Sequence, residues 1–237
     1  MSSCTMIVLA AGRGTRFAGA LPKQYLPLGQ YPLLWHTLHR IHPHPKIDHI
    51  LPVIAPTGET LWQQIMGPHL HLLPKVTPPV TGGAQRQESV YRALQTLDLP
   101  DEHWVAIHDG ARPLIDLPLL DRLLAARDQN DAIIPGLQAA DTIKQIDNQS
   151  HITATLERQK ICLIQTPQLF RLGLIRHAHQ QALHDNFLGT DDASLVERLQ
   201  SPVLLVPGSP WNIKVTYPQD QHWAAWWLQQ EESPTWK

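Results

Sequence analysis

Two kinds of hydrophobic pattern alternate along this chain. Short continuous apolar runs predict buried β-strands, and longer segments with apolar residues every three or four positions predict amphipathic helices. The predicted strands cover residues 5–10, 50–54, 104–108, 132–135 and 203–206. The predicted helices cover residues 33–41, 59–66, 87–97, 117–126, 172–183, 192–199 and 220–230. This alternation predicts an α/β fold, with a mainly parallel sheet and helices on both faces. Ligands of such sheets bind at the carboxyl ends of the strands, so we expect the loops after Leu9, Thr77 and His108 to face one crevice.

One segment breaks the alternation. The β-prone runs 142–146 and 151–156 are joined by the turn-prone residues 147–150, which predicts a β-hairpin outside the main sheet. A two-stranded hairpin is marginally stable in water by itself. We therefore expect the hairpin to pack on another surface, either that of a second subunit or that of its own domain.

The first predicted strand is followed by a loop rich in glycine and positive charge. Gly12 and Gly14 lie in this loop, and Arg13, Arg16 and Lys23 lie in it or just after it. Glycines allow backbone N–H groups to approach a polyphosphate closely, and cations neutralise its charge. The loop lacks the Gly-Lys-Ser/Thr ending of a P-loop and the full G-x-G-x-x-G spacing of a dinucleotide site. An ordinary strand-to-helix turn is the alternative, but the three cations favour phosphate binding.

Further polar clusters occur later in the chain. Residues 82–89 form a turn that enters a helix, where anions or polar base edges bind. Residues 108–113 place Asp109 at a strand end, where it would either hold Mg²⁺ together with phosphate or cap a turn. Residues 190–194 have the pattern of a helix N-cap, which we favour over a catalytic role. Residues 212–216 predict a short strand with one lysine, which either snorkels or faces an anion.

The composition is that of a globular protein. With 237 residues the chain suits a single large domain, assigned to residues 1–237. The formal net charge of −2 gives no reason to expect a nucleic-acid or membrane partner, and no apolar stretch has the length of a membrane span. Cys4 and Cys162 form no metal or redox spacing, so we expect the protein in the reducing cytoplasm.

In combination, these clusters resemble the 2-C-methyl-D-erythritol 4-phosphate cytidylyltransferases of the non-mevalonate isoprenoid pathway. The matching residues run in order along nearly the whole chain: Ala10-Ala11-Gly12-x-Gly14-x-Arg16, Pro22-Lys23-Gln24-Tyr25, Gly82-Gly83 with Arg86 and Ser89-Val90, His108-Asp109-Gly110-Ala111-Arg112-Pro113, Asp141-Thr142-Ile143-Lys144, Thr166-Pro167-Gln168, Thr190-Asp191-Asp192-Ala193 and Asn212-Ile213-Lys214-Val215-Thr216. The first loop is shared by a wide nucleotidyltransferase superfamily, whereas the ordered set is specific to this family. The resemblance implies a Rossmann-like fold of the nucleotide-diphospho-sugar transferase type. It also implies a projecting β-hairpin arm, about residues 139–160, that clasps the partner subunit of a homodimer.

The implied reaction transfers CMP from CTP to 2-C-methyl-D-erythritol 4-phosphate and releases pyrophosphate, with Mg²⁺ as cofactor. The residues implied to act in catalysis are Arg16, Lys23, Arg158 and Lys214. Those implied to bind CTP are Ala10, Ala11, Gly12, Gly14, Gly83, Arg86, Ser89 and Asp109. Those implied to bind the methylerythritol phosphate are Asp109, Arg112, Thr142, Arg158, Thr166, Thr190 and Lys214. Gly83 and Ser89 would lie at the cytosine, and Asp109 would lie at the metal and the ribose. Thr142 and Arg158 would come from the partner's arm.

These residue types suit the reaction. Its nucleophile is already a phosphate anion, so the obstacle is the approach of two anions and the charge that develops on the α-phosphoryl group. Fixed cations and Mg²⁺ counter that charge. Trp211 departs from the family, in which the residue before Asn212-Ile213-Lys214 is often acidic. The metal would therefore depend on Asp109, Asn212 and the CTP phosphates.

The sequence leaves three other functions open. A ribitol 5-phosphate cytidylyltransferase of cell-wall polymer synthesis would share the CTP residues and differ around the arm. A non-catalytic nucleotide-binding regulator would not need both Arg16 and Lys23. A glycosyltransferase of similar fold would need an Asp-x-Asp metal motif, which this sequence lacks.

Overall fold

Strands and helices alternate through most of the chain. A computed structural model describes residues 3–12 and 21–231. The strands are β1 (Cys4–Ala10), β2 (Pro27–Leu28), β3 (Tyr31–Pro32), β4 (Ile47–Ile54), β5 (Val80–Thr81), β6 (Trp104–Asp109), β7 (Ala132–Gln138), β8 (Ile143–Ile146), β9 (Ile152–Leu156), β10 (Cys162–Ile164), β11 (Gln168–Arg171) and β12 (Leu204–Pro207). The α-helices are α1 (Leu33–Ile41), α2 (Glu59–Ile65), α3 (Arg86–Thr96), α4 (Leu117–Ala125), α5 (Leu172–His184), α6 (Asp192–Arg198) and α7 (Pro218–Glu231). Among the described helices, none has both the length and the apolar composition that crossing a membrane requires.

Eight of the described strands form one sheet. Its order is β5–β4–β1–β6–β11–β7–β12, and β10 lies beside the carboxyl end of β7. Six strands run parallel (β5, β4, β1, β6, β7 and β12), whereas β10 and β11 run antiparallel to their neighbours. The prediction of an α/β fold with a mainly parallel sheet is therefore confirmed, and all five predicted strands belong to it.

Apolar side chains on both faces of the sheet explain why helices cover both. On β1, Met6 and Val8 belong to one apolar layer and Ile7 to the other, as the alternation along a strand requires. The first layer includes Leu38 of α1 and receives α2 and α4, while the second includes Ile175 of α5 and receives α3 and α6. Full burial of such a side chain contributes about 1.5–3 kcal/mol. The two layers therefore give the loops at the carboxyl edge a rigid base.

The predicted hairpin is present as a separate two-stranded sheet of β8 and β9. Ile143 pairs with Leu156 at its open end. Ile146 and Ile152, beside the turn, are 59% and 65% exposed, so they pack little on the described part of their own chain. The contact of this hairpin with a second subunit stays a prediction.

Residues 212–216 form a loop, so the strand predicted there is wrong. The Val215 N–H bonds to the Ala111 carbonyl at 2.8 Å, which is a single link rather than the ladder of a strand. The Asn212 side chain is buried and donates to the Thr166 carbonyl at 2.7 Å. Side-chain bonds thus take the place of strand pairing, and the loop still brings Lys214 to the carboxyl edge of the sheet.

Candidate active site

A cleft of about 960 Å³ opens at the carboxyl edge of the sheet. The segments that follow β1, β4 and β6 reach it, and so do the start of α3 and the loop 212–216. Its lining includes Leu9, Ala10, Ala11, Gly12, Lys23, Gly83, Arg86, Glu88, Ser89, Asp109 and Lys214. The loops expected to share a crevice, those after Leu9 and His108, do so. The segment after Thr77 continues through β5 to Gly83, and Gly83 lines the cleft.

A buried glutamine holds the loop after β1. Gln24 Nε2 donates to the Ala10 carbonyl at 2.6 Å and to the Gly12 carbonyl at 3.1 Å. Its neighbour Lys23 lines the cleft, and Lys23 Nζ donates to the Val215 carbonyl at 2.7 Å. Reasoning from sequence matched Gln24 to a motif but assigned it no role. The available signal was its position beside Lys23, directly after the glycine loop.

The turn that opens α3 is closely constrained. The Gly83 N–H donates to Ser89 Oγ at 3.0 Å, and the Ser89 hydroxyl donates to the Gln85 carbonyl at 2.9 Å. The Ala84 N–H donates to Glu88 Oε2 at 2.8 Å. A Cβ on Gly83 would lie 2.1 Å from Glu88 Cδ, so a larger residue would displace Glu88. Ser89 thus shapes the turn, and its contact with a cytosine stays a prediction.

Asp109, at the end of β6, lies among three cations. Its carboxylate is 2.8 Å from Lys214 Nζ, 3.6 Å from Arg86 Nε and 3.8 Å from Arg112 Nε. Burial alone would raise the pKa of Asp109, but the three cations, with Lys214 first, hold that pKa below its usual range. The carboxylate is therefore ionised at neutral pH, in the form that binds cations and sugar hydroxyls.

A buried polar network contacts the backbone of Asp109 and helps to fix its position. The Asp109 N–H donates to Thr166 Oγ1 at 3.1 Å, and that hydroxyl lies 3.0 Å from His108 Nδ1. Burial lowers the pKa of His108 to about 3, and Arg112 acts in the same direction, so the imidazole is neutral. Arg112 Nη1 donates to the Asn212 carbonyl at 2.7 Å. Thr166 and Arg112, both predicted to bind substrate, are not among the described residues that line the cleft.

Three other predicted substrate residues lie apart from the cleft. Thr142 is exposed just before β8, and Thr190 is exposed two residues before α6. Arg158, exposed after β9, donates from Nη1 to the Ala140 carbonyl at 2.5 Å and lines a second cavity of about 340 Å³. Among the residues that the structure describes, none of these three lines the cleft of its own chain. Gly14 and Arg16 lie outside the described residues.

The cleft offers few metal ligands. Asp109 and Glu88 are the carboxylates among its described lining residues, and no group of three or more His, Cys, Asp or Glu in residues 3–12 and 21–231 could hold a metal ion. Mg²⁺ often takes one or two carboxylates and completes its shell with phosphate oxygens and water. Asp109 fits that pattern. Asn212 is fully buried, Trp211 stacks on Trp227 with ring centroids 4.0 Å apart, and neither is among the described residues that line the cleft.

Comparison with known proteins gives consistent matches along nearly the whole chain. A family model described as 2-C-methyl-D-erythritol 4-phosphate cytidylyltransferase matches residues 4–230. A protein of that name from Syntrophus aciditrophicus is 42% identical over 226 residues, which are 95% of this chain and 96% of the relative. One from Syntrophotalea carbinolica is 44% identical over 220 residues, 92% of this chain and 93% of the relative.

Solved structures agree with this match. The crystal structure of 4-diphosphocytidyl-2C-methyl-D-erythritol synthase from Anaerococcus prevotii superposes with a TM-score of 0.83 at 30% identity. The superposition covers 96% of this chain and 99% of that one. A cytidylyltransferase structure from Thermus thermophilus gives a TM-score of 0.76 at 32% identity, covering 96% of this chain and 98% of that one. The fold is therefore that of these enzymes, including the mainly parallel central sheet.

Proposed function

This chain belongs to the 2-C-methyl-D-erythritol 4-phosphate cytidylyltransferase family, and we propose that the cleft at the carboxyl edge of its sheet is the active site. The protein is a nucleotidyltransferase of the non-mevalonate isoprenoid pathway. It transfers CMP from CTP to 2-C-methyl-D-erythritol 4-phosphate, giving 4-diphosphocytidyl-2-C-methyl-D-erythritol and pyrophosphate. One observation carries the assignment of the cleft: Asp109 and Lys214, distant in sequence, meet there at 2.8 Å beside the glycine-containing loop after β1.

CTP is proposed to lie across two adjoining loops. Its phosphates would lie on the loop after β1, at Ala10, Ala11 and Gly12, and its base at the turn that opens α3. The two loops touch, because a Cβ on Gly82 would lie 3.0 Å from the Ala11 Cβ. The cleft volume of about 960 Å³ is at the upper end of the range for small-molecule sites, which suits a nucleoside triphosphate together with a second substrate.

The chemistry depends on fixed cations rather than on a general base. The attacking group is a phosphate anion, so no proton has to be removed from it. Lys23 and Lys214 both line the cleft, and we propose that they face the charge that develops on the α-phosphoryl group. Each preorganised contact of this kind is worth about 10²–10³ in rate. Arg16 follows the same loop in sequence and is proposed to add a guanidinium there.

Nucleotidyltransferases of this family typically use a divalent cation, and we propose Asp109 as the residue that holds Mg²⁺. When bound, Mg²⁺ would neutralise charge on the CTP phosphates. Asp109 suits this role because the neighbouring cations keep its carboxylate ionised. A single protein carboxylate is sufficient where the nucleotide supplies further oxygen ligands.

The second substrate is proposed to bind between two subunits of a homodimer. A dianionic phosphate is held best by a pair of fixed cations, and Lys214 supplies one of them. Arg158 is proposed as the other, but it lies apart from the cleft of its own chain. The exposed isoleucines of the hairpin, Ile146 and Ile152, support a subunit contact that would bring the partner's Arg158 and Thr142 to this cleft.

Subunit mixing tests the shared site. Arg158→Ala and Lys23→Ala chains are each expected to be inactive, whereas heterodimers of the two should regain activity because one of their two sites receives only intact parts. Lys160→Ala is the matched control, since Lys160 is an exposed cation of the same segment paired with Glu157 at 2.8 Å. It should stay active. Inactive heterodimers, or an active monomeric wild type, would contradict the shared site.

The activity itself is tested by pyrophosphate release. CTP is supplied with 2-C-methyl-D-erythritol 4-phosphate or with ribitol 5-phosphate, and we expect release with the first. Comparable or faster release with ribitol 5-phosphate would contradict the substrate. Absence of release with both, while CTP still binds, would instead indicate a regulator.

We place the enzyme in the cytoplasm and expect neither nucleic acid nor membrane as a partner. Cys4 and Cys162 are both free thiols, which suits a reducing compartment. The formal net charge of −2 offers no strong attraction to nucleic acid or to anionic lipid.

A further inference from the structure

Arg86, the first residue of α3, connects the cleft to a buried carboxylate. Its side chain lines the cleft, with Nε 3.6 Å from Asp109 Oδ1 and Nη2 2.7 Å from Asp192 Oδ2. Asp192, the first residue of α6, is 1% exposed. His179 of α5 lies at its other oxygen, with Nε2 3.2 Å from Oδ1. A line of polar contacts therefore runs from α5 and α6 through the partly exposed Arg86 to the cleft.

Helix capping does not account for Asp192, because the preceding residue caps the helix. Asp191 accepts the Ser194 N–H at 2.9 Å and forms a capping box with it. Asp191 also accepts from Gln168 Nε2 at 2.6 Å. A buried carboxylate is costly unless it is paired with a cation and hydrogen-bonded. Burying the Asp192 carboxylate therefore lowers the stability of the fold, and capping of α6 does not require it because Asp191 is the cap. This points to a role of Asp192 toward Arg86.

The geometry divides the Arg86 guanidinium between two carboxylates. Asp192 is the closer one, at 2.7 Å, and Asp109 is the more distant one, at 3.6 Å. If Asp192 lost its charge, Asp109 would be the remaining carboxylate within ion-pair distance of Arg86 in the described structure, with Asp191 acting on Arg86 from farther away. Arg86 would then compete with Lys214 for Asp109, and the cleft would present its charges to CTP in a different arrangement.

We propose that Asp192 is a positioning residue that anchors the Arg86 guanidinium, so that Asp109 stays available to Lys214 and to the nucleotide. His179 contacts the other carboxylate oxygen of Asp192 and helps to hold it in place. This inference rests on the proposed assignment of the cleft to CTP. Asp192 itself touches no substrate, since it is not among the described residues that line the cleft, and it acts through Arg86.

The test measures CTP binding by calorimetry with Mg²⁺ present, alongside kcat and the melting temperature. Asp192→Asn keeps the shape of the side chain and removes its charge. We expect the Kd for CTP to rise about tenfold, the size of one charge-assisted contact, with a smaller effect on kcat. In an Arg86→Gln background the same change should alter Kd by less than about twofold, because the residue through which Asp192 acts is gone.

Asp191→Asn is the matched control. It makes the same change one residue earlier, where the carboxylate forms no ion pair with Arg86 and acts on it only from farther away. Asparagine also caps helices, so the Kd for CTP should rise much less than in Asp192→Asn. Equal Kd increases in the Arg86 and Arg86→Gln backgrounds would overturn the proposal, as would a lower melting temperature with unchanged Kd.

A second variant covers the case in which Asp192→Asn does not fold. Arg86→Lys keeps the positive charge but lacks the planar fork that reaches two carboxylates. We expect weaker CTP binding at a temperature well below the melting temperature of the variant, and unchanged binding would overturn the proposal. CTP binding to the wild type is measured first, since its absence would contradict the assignment of the cleft and this inference with it.

Discussion

Replacing Gln24 by methionine tests whether one buried amide sets the position of the loop that is proposed to hold the CTP phosphates. Gln24 is 3% exposed and donates to the carbonyls of Ala10 and Gly12 at 2.6 Å and 3.1 Å. Methionine has a similar length and volume, so it removes the donors without opening a large cavity. Because Ala10 is buried and Gly12 is exposed, water can replace the amide at Gly12 but not at Ala10.

The expected losses follow from these two bonds. The unsatisfied Ala10 carbonyl costs about 2 kcal/mol, and the replaceable bond to Gly12 costs about 0.5 kcal/mol. The free energy of unfolding should therefore fall by about 2.5 kcal/mol, which lowers Tm by about 5–10 °C for a chain of this size. A loop displaced by a fraction of an ångström misplaces the phosphates, so kcat/KM for CTP should fall by about 10–100-fold.

Asp116→Ala separates these two effects. Asp116 caps α4, accepting the Leu119 N–H at 2.7 Å, and it also accepts from the hydroxyl of the buried Ser209, so its loss costs about 2 kcal/mol. Asp116 is not among the described residues that line the cleft, so kcat/KM should stay within about twofold of wild type. Both variants are compared by pyrophosphate release well below their Tm and by thermal unfolding. If Gln24→Met loses stability but keeps wild-type kcat/KM, Gln24 supports the fold and does not set the position of the loop.

Three further outcomes are expected. Lys23→Ala should lower kcat by about 10²–10³ with little change in CTP affinity, and steady-state kinetics with an unchanged kcat and a raised KM would reassign Lys23 to ground-state binding. CTP should be strongly preferred over UTP as a substrate. Gly83→Ala should reduce the ratio of the kcat/KM values for CTP and UTP by about tenfold, because the alanine Cβ would lie 2.1 Å from Glu88 Cδ and displace that side chain. An unchanged ratio would contradict this turn as the base site. The pKa of His108 is about 3 in the folded protein, against an ordinary value of 6.5, so the unfolded chain binds the proton first. Its contribution to stability is complete above about pH 6.5 and is lost as the pH falls toward 3. Urea unfolding of His108→Gln should thus show a shallower loss of stability between these values, and an equal slope would argue against a neutral buried imidazole.

The hydrophobic pattern predicts those elements whose burial is large and periodic. Helix α1, Leu33–Ile41, has the predicted bounds because its apolar residues recur at helical spacing and most of them, including Leu34, Leu38 and Ile41, belong to one layer. Strand β11, Gln168–Arg171, was not predicted, since four residues that lead directly into α5 are too few to show a period. The strand predicted at 212–216 is wrong for a related reason. An extended apolar segment can be fixed by side-chain bonds, such as that from Asn212 to Thr166, without pairing as a strand.

The site shows where local patterns stop being informative. Capping acts over three residues, so a sequence of two aspartates before a helix predicts a cap, but it does not tell which aspartate remains for another partner. That partner, Arg86, comes from a different helix on the same face of the sheet, and the contact exists because α3 and α6 both pack on the layer around Ile107. Asp109 and Lys214 meet for the same kind of reason, one at the end of β6 and the other on a loop. Charges that the sequence places far apart are thus joined by packing at the carboxyl edge, and their mutual distances, rather than their residue types, decide which of them can act on a ligand.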